Sequence, residues 1–89
     1  MDTLKPLRKS GIVSQKIGDE CMIYDPVTGS MHVINGTAEL VLNLCDGAHS
    51  LNEIEQHMRE AHHVPEGIHI RKDLEDILHN FTDLGIIQP

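Results

Sequence analysis

Through its first third the chain alternates short apolar runs with turn residues, and then the period changes. Ile12 to Ile17 fits a first strand, with Val13 and Ile17 as its inward residues. Gly18-Asp19 follows as a two-residue hairpin signal, because Gly takes the positive φ that tight turns demand. Cys21-Met22-Ile23-Tyr24 is apolar on both faces, which predicts a central strand. Asp25-Pro26-Val27-Thr28-Gly29 is the next turn, started by Asp and Pro and ended by Gly. Met31-His32-Val33-Ile34 is then a third strand, on the edge of an antiparallel meander.

From Asn35 onward the apolar positions recur with helical spacing. Asn35 can cap a helix through its side-chain oxygen, and Glu39 suits the positive end of the helix dipole. Ala38, Val41, Leu42 and Cys45 form one stripe, widened by Leu40 and Leu44, and Gly47 is the expected left-handed stop. Ser50 and Glu53 have the spacing of a capping box, opening a second helix with Leu51, Ile54, Met58 and Ala61 on one face. Pro65-Glu66-Gly67 closes that segment. A third helix runs from Ile70 to Leu84 with Ile70, Leu74, Ile77, Leu78, Phe81 and Leu84 as its stripe. Gly85 caps it, and Ile86-Ile87 form an apolar tail that tucks back.

Three strands followed by three helices predict an α+β domain with a winged-helix-like order. The helices must cover one sheet face to bury Ile23 and Val33. Residues 1–10 mix Lys, Arg, Pro and Ser and read as a flexible N-terminal segment; 11–89 read as a single domain.

Composition narrows the function. With 89 residues the core is thin, and with no Trp, one Tyr and one Phe it must be built from Leu, Ile, Val and Met. Such a core is poorly suited to a pocket for a flat cofactor. The net charge of -7 repels phosphate backbones and anionic membranes, so neither nucleic acid nor membrane is an expected partner. Cys21 and Cys45 have no ligand spacing and read as free, buried thiols in a reducing compartment. No apolar run reaches the ~20 residues of a membrane span, and the first residues lack a signal-peptide pattern. The expected location is cytoplasmic.

Candidate chemistry is sparse. His57, His62 and His63 lack the i, i+4 spacing of a helical zinc pair and read as surface residues near a helix end. His49, His69 and His79 stand alone, and His32 reads as a solvent-facing strand residue. Cys45 sits at a helix C-terminus, where the dipole disfavours a thiolate; Cys21 has no base beside it. Ser50 is used as a cap, and Asp73 with Asp76 reads as a solvated helix face. No catalytic constellation, metal set or cofactor motif emerges, so an enzyme is not expected.

The ordered set of these pieces resembles the PqqD family, the small peptide-carrying chaperones of pyrroloquinoline quinone (PQQ) synthesis. The same unit serves as the precursor-recognition element of other enzymes that modify ribosomally made peptides. The resemblance rests on Val33-Ile34-Asn35 ending a strand, Thr37-Ala38 opening a helix, and Leu44-Cys45-Asp46-Gly47 closing it. It continues through Ile54, Asp73-Leu74, Ile77-Leu78, Phe81 and Gly85-Ile86-Ile87, covering roughly residues 10 to 88. The chain departs from the family pattern with Ile34 where Leu is common and Phe81 where Leu is common, and both swaps keep an apolar residue.

What the resemblance implies is a binding mode. A precursor's leader peptide would add as a strand to the edge of strand three and be covered by helix three. Its role carries over to Met31, His32, Val33 and Ile34 on the strand, and to the flank Arg71, Leu74, Glu75 and Leu78 on the helix. The choice of flank is open, since the pattern does not say which side of helix three faces the strand. The implied partners are that peptide and a modifying enzyme, a radical S-adenosylmethionine enzyme or another. An open edge could also pair with its own copy, giving a homodimer. Independently of any family, an edge strand has unpaired N–H and C=O groups that an incoming strand satisfies. The competing reading is a winged-helix DNA-binding regulator. Helix three argues against it, with Asp73, Glu75, Asp76 and Asp83 set against Arg71 and Lys72.

Overall fold

A computed structural model of the chain describes residues 5–65 and 67–88. Strands β1 (Val13–Ile17), β2 (Glu20–Asp25) and β3 (Ser30–Asn35) form an antiparallel sheet in the order β1-β2-β3. Helices α1 (Gly36–Asn43), α2 (Leu51–Ala61) and α3 (Arg71–Leu84) follow. This is the expected α+β order, three strands and then three helices.

Local chemistry sets most of the boundaries. Ile17 pairs with Glu20 across a two-residue turn in which Gly18 takes φ +61°. In the second turn the Asp25 carboxylate accepts from Val27 N at 3.0 Å, and Gly29 N donates to Asp25 O at 2.7 Å. Asn35 caps α1 by accepting from Ala38 N at 2.9 Å. Ser50 and Glu53 complete a reciprocal capping box at the start of α2. Gly85 ends α3 in the left-handed conformation, φ +75°. Helix α1 stops earlier than the sequence suggests: Leu44 is its C-cap, and Gly47, at φ +77°, belongs to the turn beyond. There Gly47 N donates to Pro6 O at 3.0 Å. Of the expected Pro65-Glu66-Gly67 turn, Glu66 lies outside the described residues.

Residues 5–10, expected to be loose, are tied into the fold. Arg8 N donates to Cys45 O and Lys9 N to Ile86 O, while Gln88 N donates to Leu7 O. The returning tail is what holds this segment: Ile86 and Ile87 are buried, as their position after Gly85 suggests. Residues 1–4, the rest of the expected flexible segment, lie outside the described residues.

The sheet has one covered face. Cys21 opposes Ile34, and Ile23 opposes His32, so these four share the face turned to the helices. Cys21, Ile23 and Ile34 are buried there with Val41, Leu42, Ile54, Leu74 and Phe81. The opposite parity turns outward: Val13 opposes Tyr24, Tyr24 opposes Met31, and Met22 opposes Val33.

That parity overturns the expected facing of several residues. Val13 and Ile17, each 54% exposed, face away from the core, and so does Val33 at 61%. Strand β2 is central, but Met22 and Tyr24 lie on an uncovered face. His32, expected to face solvent, points to the helix side opposite Ile23; it is half-buried, and its Nε2 is buried without a hydrogen-bond partner. The cause is geometric. Because α1 starts directly after Asn35, the residue that must meet the helices is Ile34, and alternation then sends Val33 outward.

Candidate functional site

A three-stranded sheet has two edges, and here they differ in what lies beside them. The inward positions of β1 are Ser14 and Lys16, and Lys16 is held by Glu39 at 2.9 Å. That edge has a polar flank. The outer edge of β3 instead borders an open groove of about 460 Å³ between the strand and α3. Helix α1 packs on both β3 and α3 and holds them apart, forming the groove's closed end.

The lining combines a mostly apolar floor with a polar rim. Ile34, Ala38, Ile77 and Phe81 line it together with Val33, and Asn35, Thr37, Asp73 and Asn80 supply the polar groups. Phe81 and Ile34 are buried, while Ile77 and Ala38 are half-buried, so part of the apolar surface is still open to a guest. Among the described residues, no backbone hydrogen bond joins β3 to anything except β2 and the turn leading into it. Alternate residues of an edge strand turn both N–H and C=O outward, which leaves a row of donors and acceptors along the groove.

The helix residues singled out from the sequence lie elsewhere. Leu74 is fully buried in the core. Arg71 turns toward α2, where its Nε donates to Glu55 at 2.7 Å and its guanidinium also reaches Asn52. Arg59 joins the same carboxylate at 3.3 Å. Hydrogen bonding from Arg71 chiefly holds the Glu55 carboxyl below the usual range. Glu75 and Leu78 line a different depression, also about 460 Å³, with Lys5, Pro6, Leu7 and Leu51. The side of α3 beside β3 carries Asp73, Ile77, Asn80 and Phe81. Periodicity marked Ile77 and Phe81 as apolar but could not say which of them looks into the core and which into a groove. Asp73 and Asn80 have no apolar signature and were not findable that way.

Both thiols and Asp25 belong to the packed interior. Burial pushes the Cys45 thiol up to about 12, with Asp46 adding to the effect. Burial also raises Cys21, helped by Glu39. Both are free and buried, so neither presents a thiolate nucleophile at neutral pH. Asp25 is buried and accepts from Lys9 Nζ at 2.7 Å, which holds its carboxyl below the usual range. Among the described residues, no group of three or more His, Cys, Asp or Glu side chains comes together as a metal set. His57 makes an edge-on ring contact with His49 at 5.6 Å, and His62 lies 3.3 Å from the Thr37 hydroxyl. No helix among the described residues is long and apolar enough to cross a membrane.

Comparison with known proteins agrees with the architecture. Among curated proteins, none matches this sequence. Among solved structures, the chain is similar to TbiB1 in complex with the TbiA(beta) leader peptide, at a TM-score of 0.76 and 18% identity. The superposition covers 92% of this chain and 94% of that one. At that identity the likeness speaks for the fold. The family described as coenzyme PQQ synthesis protein D matches residues 20–87, which runs from the first residue of β2 to the buried tail after α3. With the match covering most of the sequence, the chain belongs to the PqqD family.

Proposed function

We propose that this protein is a non-catalytic peptide chaperone that takes the leader of a ribosomally made precursor as a fourth strand on the free edge of β3. The observation that carries the reading is the juxtaposition of that edge with the apolar groove under α3. Main-chain hydrogen bonds along Met31, His32, Val33 and Ile34 would supply affinity that is indifferent to sequence, and the groove would select side chains. On the helix we assign the contact to Asp73, Ile77, Asn80 and Phe81, because Arg71 and Leu74 are engaged elsewhere and Glu75 and Leu78 line the other depression. The neighbouring fold of TbiB1 is described in complex with a leader peptide, which supports bringing a leader to this chain.

The chaperone would present the peptide to a modifying enzyme, a radical S-adenosylmethionine enzyme or another, in the synthesis of PQQ or a related peptide-derived product. Its two free thiols fit the reducing cytoplasm. Without a peptide, the same edge could pair with a second copy. A DNA-binding role has no support in α3, which exposes Asp73, Glu75, Asp76 and Asp83.

The test is a titration of the isotopically labelled protein with leader peptides encoded beside its gene. Shifts of the Met31–Ile34 amides and of the Ile77–Phe81 turn are expected. Binding that leaves both unmoved would remove the assignment.

A further inference from the structure

The groove has a charge as well as a shape. Its liners include one ionisable side chain, Asp73, in the first turn of α3. No salt bridge or side-chain hydrogen bond engages the Asp73 carboxylate among the described residues. The nearest lysine in sequence, Lys72, pairs with Asp76 at 3.1 Å and acts on Asp73 only through space. Among the described residues no Lys or Arg lines the groove, and the protein as a whole carries -7. An anionic guest would therefore meet a carboxylate within a field of the same sign, while a cationic one would meet the one ionised side chain among the described liners.

The strand adds a second constraint. A guest paired with β3 would alternate its side chains between the two sheet faces. One set would drop towards Ile34, Ile77 and Phe81; the other would lie beside Met31 and Val33, which are 59% and 61% exposed. Cross-strand neighbours on a half-open face favour β-branched or aromatic partners. Among the described groove liners Asp73 is the one charged group; Asn35, Thr37 and Asn80 are neutral polar neighbours.

On the strength of the peptide-binding reading above, we propose that the selected segment is apolar on both faces and basic at one end. It would carry aliphatic or aromatic residues at successive positions and a Lys or Arg at the groove-facing position beside Asp73. Acidic residues in that stretch would be excluded. Asp73 would then be a specificity residue, reading charge where the backbone ladder reads none.

A random-sequence displayed peptide library, selected in parallel on the wild-type protein and on Asp73→Asn and Asp73→Lys, tests this. Asp73 is exposed, and far-ultraviolet circular dichroism checks that each variant is folded. Wild type is expected to enrich apolar segments with a flanking Lys or Arg. Asp73→Asn should lose the charge preference, and Asp73→Lys should reverse it to Asp or Glu. A synthetic peptide from the wild-type pool should bind about fivefold more weakly to Asp73→Asn, with the gap closing as salt rises, as for an exposed ion pair. Enriched peptides that perturb β3 but show the same charge preference on all three proteins would overturn the Asp73 assignment and leave the chaperone reading standing. Failure of all three proteins to enrich any peptide that perturbs β3 would overturn both.

Discussion

Ile77 and Leu78 are neighbours on α3, both half-buried and both packed on the core, yet they line different depressions. That makes them a matched pair. Truncating either to Ala removes the same number of carbons, a loss of about 2.4 kcal/mol for a fully buried side chain at roughly 0.8 kcal/mol per carbon. With at least about two thirds of each residue already covered, each variant should lose about 1.5–2 kcal/mol of stability, Ala's better helix propensity giving back a few tenths. Urea melts at unchanged slope should report that loss for both. Binding should separate them. A guest in the β3 groove would cover what remains exposed of Ile77, at most about a third, and none of Leu78. Ile77→Ala should therefore weaken peptide binding by up to about 0.8 kcal/mol, roughly two- to fourfold in Kd, and Leu78→Ala should leave it unchanged. Fluorescence anisotropy with a labelled leader peptide reads this directly. A larger loss for Leu78→Ala would refute the assignment of the groove and restore the flank Arg71, Leu74, Glu75 and Leu78 chosen under the family resemblance.

Other perturbations probe other parts of the account. One of His32 and Val33 spends its N–H on β2 and the other presents it outward, so His32→Pro and Val33→Pro should differ: one should lose about 1–3 kcal/mol of stability, the other chiefly its peptide binding, as read by melts and anisotropy together. The Asp25 carboxyl is held below its ordinary value by Lys9, so its stabilisation is complete above about pH 4 and is lost as pH falls through the lowered value. Asp25→Asn should flatten that acid limb of a stability-against-pH curve, and an unchanged limb would contradict the pairing. A thiol reagent at pH 8 should label neither Cys21 nor Cys45 in the native protein and both after unfolding in denaturant, because both are at most 1% exposed and burial keeps both thiols protonated.

The chain's local chemistry was legible because it is local. Asn35, Ser50 with Glu53, Gly18 and Gly85 each determine a cap or turn within a few residues, and each does in the structure what its type and spacing imply. Which face a residue occupies was less legible, because it depends on where distant helices land. Met31 to Ile34 contains apolar side chains at both parities, so alternation alone could not choose between burying Val33 and burying Ile34. The ordered N-terminal segment escaped notice for a similar reason. Its backbone partners, Cys45, Gly47, Ile86 and Gln88, are distant in sequence, and its own composition resembles a linker. On α3 the stripe was visible but its division was not. Leu74 in the core, Ile77 over the β3 groove and Leu78 over the opposite depression are indistinguishable by hydrophobicity. Only the position of β3 separates them.

Interstrand nuclear Overhauser contacts in a complex of the labelled protein with a bound leader peptide bear most directly on the central claim. Contacts from the peptide backbone to the backbone of Met31–Ile34, with side-chain contacts to Ile77 and Phe81, are predicted. A peptide whose contacts fall on β1, or on Leu51, Glu75 and Leu78, would contradict it.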